Sequence, residues 1–414
     1  MATAASNTAN VNLLRRLFGN EMADLTFGDD PYLRGVKKVT TGFGEIRYVV
    51  VRIGQTAGVG GSIAVAIANQ APTAERRFSV TERTIYAVFT MKGSFLRKAR
   101  GKPNSLLTGY ESQARSAMYD FKKLLENQSW AAGGRVGTIN ATVTGTTLTF
   151  ANARALIGIN LLGKWLTFAS DDGTAASPAG ERGLGGVPYR VQVTAVDIGN
   201  NRVTVSPSLT TVTGLTSGDS VFIEGFYALS MMGKQAWNPI TAPGGSDSFF
   251  GVNRSEAVEP LSGWRVTGQG LYEATVIEAL TYGEQATVDT KTCFMNKRDW
   301  AKMVNEMGVQ AFREPGGKKT GGAKALVVDG PDGSCAMTGV NRVPQGYAWI
   351  GDPSNDVLLS EGEIPQILNE DKVGPMRMLP TDDAYQSRLG GDANFMPDDS
   401  AAKLGPGAWV IVSW

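Results

Sequence analysis

Apolar and polar residues change their periodicity several times along the chain, and each change marks an expected element. Asn12–Phe18 places Leu13, Leu14, Leu17 and Phe18 on one helical face with Arg15 and Arg16 opposite. This reads as a short docking helix after a small, polar, disordered start over 1–10. So short a helix buries too little area for a membrane-surface anchor. Phe43–Gly54 is rich in β-formers: Ile46, Tyr48, Val49, Val50, Val51 and Ile53. A Gly/Ala-rich stretch follows from Gln55 to Ala74, and a second strand is expected over Arg77–Met91. In that strand Phe78 and Val80 alternate in one parity, and Ile85, Ala87, Phe89 and Met91 in the other. A parity change predicts a bulge, or a strand that buries different faces along its length. Arms of about twelve residues would reach ~40 Å. A lone two-stranded hairpin is marginal in water, so this one must lie on something, either its own chain or a neighbouring copy.

Thr108–Asn127 is the clearest helix. Tyr110, Ala114, Met118, Phe121 and Leu125 form one stripe, widened by Ala117 and Leu124, with Asp120, Lys122 and Lys123 on other faces. Thr108 and Glu111 have the spacing of a capping box, and the helix is expected to end before Gly133-Gly134. From 136 to 225 charge thins and Thr, Val and Gly rise. Thr138–Thr144 and Thr146–Phe150 read as hairpin arms around Gly145. Further strands are expected over Leu162–Phe168, Arg190–Val196, Arg202–Ser206 and Val221–Ile223, with a turn at 197–201. Short strands at this spacing predict a small β-barrel or sandwich, with Asp171–Gly186 as a long mobile loop. The remainder is mixed. Helices are expected over Leu271–Tyr282 (Tyr272, Val276, Ile277 and Leu280 inward) and Lys297–Met307 (Trp300, Met303 and Val304 inward). Strands are expected over Thr292–Met295, Ala325–Val328, Gly346–Ile350 and Trp409–Ser413, and Arg313–Lys324 reads as a basic glycine loop.

Composition narrows the function more than the fold. The 414 residues suggest two or three packed units, or one domain with insertions. Glycine, 51 residues, is well above the usual share and favours turns over a helical bundle. A net charge of +1 gives no general pull toward nucleic acid or anionic lipid. With no histidine, the commonest general base and metal ligand is missing, and Ser/His/Asp or Cys/His nucleophile systems are excluded. Cys293 and Cys335 lie in no metal-binding pattern and read as reduced, partly buried thiols, with a disulfide between them left open. No apolar run approaches a membrane span, Ala155–Leu162 being the longest, and there is no signal-peptide order at the start. The chain is therefore expected to be made and used in the cytoplasm.

The motifs that resemble chemistry fail on inspection. Gly58-Val59-Gly60-Gly61-Ser62-Ile63 has Ile where a dinucleotide fingerprint needs Gly. Gly316-Gly317-Lys318-Lys319-Thr320 has Lys319 where a P-loop needs Ser or Thr, and Phe312 at the place of its first Gly. It reads as a solvated loop, or as a basic contact loop (Arg313, Lys318, Lys319 and Lys324) touching phosphates or a neighbour's acidic rim. The adjacent pairs Asp29-Asp30, Asp171-Asp172, Asp382-Asp383 and Asp398-Asp399 cannot each face one another as a catalytic dyad. Asp329-Gly330-Pro331-Asp332-Gly333 lacks the ligand spacing of a calcium loop and reads as a turn. No enzyme activity, cofactor or metal is expected.

The order of elements is arm, long hairpin, long helix, then an α/β region closed by a strand. It resembles the HK97-like major capsid proteins of tailed bacteriophages. Four segments carry the likeness: Glu126–Ile139 with Gly133, Gly134 and Gly137; Phe249–Arg254 followed by Trp264; Phe294–Trp300; and Gly362–Leu368 followed by Asp382–Arg388. The resemblance implies an α+β capsid fold. An N-terminal arm would occupy 1–42, the E-loop hairpin 43–103 and the spine helix of the P-domain 104–135. The rest of the P-domain and the A-domain would occupy 226–414. Residues 136–225 depart from the minimal pattern and read as an inserted β domain.

The implied function is self-assembly into pentamers and hexamers of an icosahedral head that encloses double-stranded DNA. Scaffolding, portal and decoration proteins would be partners, DNA would be met non-specifically, and no membrane would be involved. The hairpin would cross a neighbouring subunit through Arg47, Arg52, Arg76, Arg77 and Arg83, with Gly58, Gly60 and Gly61 at its tip. Some such capsids join an E-loop lysine to a neighbour's asparagine. Between Val39 and Met91 this chain has no lysine, so non-covalent locking by Arg–carboxylate pairs and apolar packing is expected. Two other readings stay open. One is an encapsulin-like compartment shell, which a companion cargo enzyme would favour. The other is a β-rich tail or glycan-binding protein, for which Trp165 and Tyr189 are few and scattered aromatics.

Overall fold

The parity change after Thr81 is a change of sheet. Glu75–Thr81 pairs antiparallel with Ile46–Arg52, from Arg52 opposite Glu75 to Ile46 opposite Thr81. After the single residue Glu82, Arg83–Lys92 pairs instead with Ala384–Pro397, from Arg83 opposite Ala393 to Lys92 opposite Ala384. The expected single strand is thus two, and the expected bulge is a crossing between layers. The hairpin arms are seven residues each, about 23 Å rather than ~40 Å. Their support comes in part from their own chain. Val49, Val51, Phe78 and Val80 are buried in a cluster with Trp237, Phe249, Val252, Leu261, Leu359 and Met396.

A computed structural model describes residues 30–40, 44, 46–54, 58–70, 74–94, 103–140, 145–151, 156, 159–174, 180–184, 187–245, 247–268, 270–307, 326–331, 333–368, 377–379, 382–398 and 405–414. The start over 1–10, the Asn12–Phe18 helix and the basic loop with Arg313, Lys318, Lys319 and Lys324 lie outside these residues.

The strand Ala384–Pro397 organises the centre. It pairs with Asp356–Ser360, Gln366–Ile367, Arg377–Met378 and Arg83–Lys92, and Lys37–Val39 joins the far side of Asp356–Ser360 in parallel. Its sequence hides it, because Gly390-Gly391 and polar residues break the alternation. The glycines are required by close approach: a Cβ on Gly390 would meet the Tyr86 ring at 2.8 Å, and one on Gly391 the Ile364 side chain at 2.9 Å. The long helix runs Pro103–Trp130, so Thr108 is interior and is not its cap. Ala114, Ala117, Met118, Phe121, Leu124 and Leu125 are buried as the spacing predicts. Lys122 is buried as well, against expectation, because it lies one turn beyond Met118 on the flank of the same stripe. The principal core joins this helix to Tyr32, Phe294, Trp349 and Trp409, with Tyr32 4.8 Å from Trp130 and Trp130 5.9 Å from Trp349, ring centre to ring centre.

Strands from Gly137 to Ile223 form a six-stranded sheet. In spatial order it runs Gly137–Thr138, Ser220–Ile223, Trp165–Ala169, Val191–Asp197, Arg202–Ser206 and Thr147–Thr149. Ile139 bridges Phe150, joining the first strand to the last, so the sheet closes into a small barrel. Among the described residues the expected arms around Gly145 meet at this seam, each pairing chiefly with another strand. Leu148, Phe150, Leu166, Phe168, Val191, Val203 and Val221 fill the interior. The Asp197–Asn201 turn is present, with Asn201 in the left-handed region at φ 54°. The stretch Asp171–Gly186, expected to be one mobile loop, is tied down where it is described. Asp171 accepts from the Gly173 and Gly180 amides and the Tyr227 hydroxyl, Glu181 bridges Ala169, and Gly183–Leu184 pairs with Val187–Pro188.

The third sheet is ordered Trp264–Thr267, Trp409–Ser413, Tyr347–Gly351, Thr292–Asn296, Ser334–Val340 and Leu326–Asp329. Helices Tyr272–Gln285 and Lys297–Met307 share its core, through Val276, Ala279, Leu280 and Met303. Ile277, expected inward, is exposed, and Thr275 is buried in its stead. Asp329 and Gly333 bound a tight turn closed by the Gly330 amide on the Gly333 carbonyl. Cys293 and Cys335 are both buried and free, and burial pushes both thiols up. No helix among the described residues is long and apolar enough to cross a membrane.

Candidate assembly surface

The hairpin buries one face and leaves the other apolar and exposed. Strand alternation turns Val49 and Val51 inward, so Ile46, Tyr48 and Val50 point out, each between 40 and 50 % exposed. Opposite Val50 lies Arg77, whose guanidinium stacks 5.3 Å from the Tyr48 ring centre. The outward face is thus a short apolar stripe edged by cations.

The tip continues this surface. No charged residue occurs between Arg52 and Glu75. Ser62 caps a six-residue helix, Ile63–Ala68, accepting from the Val65 amide at 3.3 Å, and no residue of that helix is buried. Gly58 and Gly60 let the incoming chain lie directly against it. A Cβ on Gly58 would collide with the Ala66 carbonyl, and one on Gly60 would come within 2.7 Å of the Ala66 amide; Gly61 faces open space. Asn69 fixes the loop by donating to the Val59 carbonyl at 2.9 Å. The result presents Val59 and Ile63 about 80 % exposed, with Ile67 and Val65 beside them. Contiguous exposed apolar surface of this kind marks an interaction site.

The five hairpin arginines are not gathered into one patch. Arg52 pairs with Glu75 across the hairpin at 3.7 Å. Arg76 binds Glu256 of its own chain through Nε at 2.6 Å, pinning the hairpin to the loop beneath. Arg77 lies over Tyr48, and Arg47 is exposed. Arg83 belongs to the central sheet, where burial pushes its guanidinium down. Among the described residues no group of three His, Cys, Asp or Glu side chains could hold a metal ion.

Sequence reading missed a polar site inside the principal core. Lys234 and Asp356 are both almost wholly buried, with Nζ 2.8 Å from Oδ2, and the Tyr32 hydroxyl donates to the same oxygen at 2.9 Å. The Lys234 Nζ also sits 3.6 Å from the centre of the Trp409 ring. Burial lowers the Lys234 amine to about 8, with Asp356 opposing, and burial holds the Tyr32 phenol well above its ordinary value. Nothing local announces this site, since lysine is ordinarily a surface residue. Nearby Asp30 accepts from the Tyr32 and Leu33 amides at 2.8 and 3.2 Å, and burial raises its carboxyl to about 6.

No family model and no curated protein matches the chain. Several solved structures align with most of its length. A chain of the cyanophage A-1(L) capsid asymmetric unit matches with a TM-score of 0.47 and 9% identity, covering 92% of this chain and 90% of that one. One from the capsid of a native GTA particle matches with a TM-score of 0.45 and 8% identity, covering 92% and 88%. One from the satellite phage P4 procapsid with its size determination (Sid) protein matches with a TM-score of 0.37 and 11% identity, covering 96% and 98%.

Proposed function

We propose that this chain is a shell subunit, the major capsid protein of a tailed phage with an HK97-like fold. The observation that carries this reading is the half-satisfied hairpin. Its inner face rests on its own chain, while its outer stripe and charge-free tip leave Ile46, Tyr48, Val50, Val59, Ile63 and Ile67 exposed. A second copy is the occupant that every subunit of a self-assembling shell can count on. Heterologous contacts of this sort generate rings when the rotation closes, here pentamers and hexamers, and many modest contacts add through multivalency.

In this reading the hairpin is the E-loop, shortened to residues 46–81, and Pro103–Trp130 is the spine helix. The sheet around Ala384–Pro397 belongs to the P-domain and the sheet around Thr292–Asn296 to the A-domain. The barrel over 137–223 is the inserted domain. Its two ends meet where the Val136 amide donates to the Val221 carbonyl at 2.8 Å, as an insertion at one point of a parent fold requires. Arg52 and Arg77 flank the docking stripe, while Arg47, opposite Val80, would reach a neighbour from the hairpin's other side. The basic stretch with Arg313, Lys318, Lys319 and Lys324 would touch phosphates or a neighbour's acidic rim, and packaged DNA would be met through scattered Lys and Arg without sequence preference. Scaffold, portal and decoration proteins complete the partners.

Electron microscopy of the purified chain, alone and with the scaffolding protein supplied, tests the reading. Capsomers or shells are expected. A monodisperse 44.0 kDa monomer under every condition would refute it. Shells that load a companion enzyme in place of DNA would favour the encapsulin-like alternative.

A further inference from the structure

The buried triad is set up for more than an ion pair. We infer that Lys234 and Asp356 condense into an intramolecular isopeptide bond, which staples the short helix Lys234–Trp237 to the start of the strand Asp356–Ser360. The inference is independent of the shell reading. It rests on four features found together. The amine and carboxylate are in contact, 2.8 Å from Nζ to Oδ2. Both are sealed from water, at 2 and 6 % side-chain exposure. A phenol, Tyr32, donates to the same oxygen. Around them Trp130, Phe294, Trp349 and Trp409 supply an apolar wall.

Each feature has a chemical role. Amide formation from a carboxylate and an ammonium is blocked in water by ionisation of both partners and by hydrolysis. A dry site disfavours the charged ammonium, and burial lowers the Lys234 amine to about 8, so a free amine is accessible beside the carboxylate. A carboxyl carbon lies one bond beyond the oxygen that accepts, so contact at Oδ2 brings Nζ near the ~3–3.5 Å of an attack geometry. One proton passes from Nζ to Oδ2. The nitrogen lone pair then attacks Cγ, forming the C–N bond. As the C–Oδ2 bond breaks, Oδ2 takes a second proton from nitrogen, relayed by Tyr32, which gives its hydroxyl proton and regains one. Oδ2 leaves as water and Oδ1 remains as the amide carbonyl. No oxidant, metal or co-reactant is needed, and Tyr32 ends unchanged. The cation–π contact with Trp409 favours the ammonium and so opposes the first step; the phenol on Oδ2 assists the last.

The test is the intact mass of the full-length chain, denatured, after incubation at pH 8–9. Loss of one water, about 18 Da, is expected, with a branched tryptic peptide joining Lys234 to Asp356. Asp356→Asn should lose ammonia instead, about 17 Da, through the same attack on an amide carbon. Lys234→Arg should keep its full mass. Tyr32→Phe, which preserves the ring packing, should slow accumulation of the lighter species at least tenfold. A wild-type chain that keeps its full sequence mass throughout the incubation overturns the inference, whatever the variants do. So does a mass loss that maps to any other pair of residues.

Discussion

The side-chain amide of Asn394 donates to the carbonyl of Thr81 at 2.8 Å, fastening the root of the hairpin to the central strand. The same side chain accepts from the Met232 and Phe395 amides through Oδ1, each at 2.9 Å, and is fully buried. One residue thus locks the hairpin, the 232 segment and the strand Ala384–Pro397 at the point where the chain changes sheets.

Asn394→Ala should therefore destabilise the subunit by about 2–3 kcal/mol, because buried backbone groups are left unpaired. Asn394→Asp should cost at least as much, since it removes the donor and buries a charge. Urea denaturation of assembly-blocked protein measures both.

Arg254 performs the corresponding task below the hairpin. It forms a two-pronged pair with Asp247, donates to the Ala236 carbonyl, and stacks 4.3 Å from the Phe249 ring centre. Arg254→Ala should cost about 3–5 kcal/mol by stranding Asp247. Arg254→Lys should recover only part of that, for want of the planar fork. Thermal unfolding of both variants checks the order.

Asp30 predicts a pH dependence of definite sign. Burial raises its carboxyl from 3.8 to about 6, with the capped amides pulling the other way. The folded chain therefore binds more protons than the unfolded chain between these values. The contribution of Asp30 to stability falls as pH rises from about 4 to about 6 and is level above. That span corresponds to on the order of 3 kcal/mol. Asp30→Asn keeps the cap without titrating, so it should match wild type near pH 4 and exceed it near pH 7. Denaturant midpoints of the two proteins across pH 4–7 report the difference directly, and parallel curves would contradict the assignment.

On the hairpin tip, Ile63→Asp and Ile67→Asp should leave subunit stability within ~0.5 kcal/mol, because both side chains are exposed. They should still abolish closed shells. Sedimentation and unfolding measured on the same samples separate the two effects.

Boiling mature particles in SDS should release a single band near 44.0 kDa. The hairpin holds no lysine to cross-link a neighbour, and a bond between Lys234 and Asp356 lies within one chain. A ladder of multimers would show that linkage between subunits occurs elsewhere.

Elements with a strict local period were legible in the sequence. The Lys297–Met307 helix and the Trp409–Ser413 strand stand where their patterns place them, the helix by its apolar spacing and the strand by a continuous apolar run buried on both faces. The stripe on the long helix was legible for the same reason, whereas its start was not: Thr108 offers a cap that the chain passes through. The β-rich stretch from 136 was evident from composition, but its closure at Ile139 and Phe150 was not, because strand partners are chosen by distant segments. The glycines of the tip and the missing hairpin lysine were plain. That the hairpin is short, that Arg76 binds Glu256 of its own chain, that Arg83 lies in the central sheet, and that Ala384–Pro397 is the central strand emerged only in three dimensions. Least legible of all was Lys234. A sequence assigns a lysine to water, and only the packing of Tyr32, Asp356 and Trp409 around it excludes water and supplies the charge and hydrogen-bonding groups that let it stay inside.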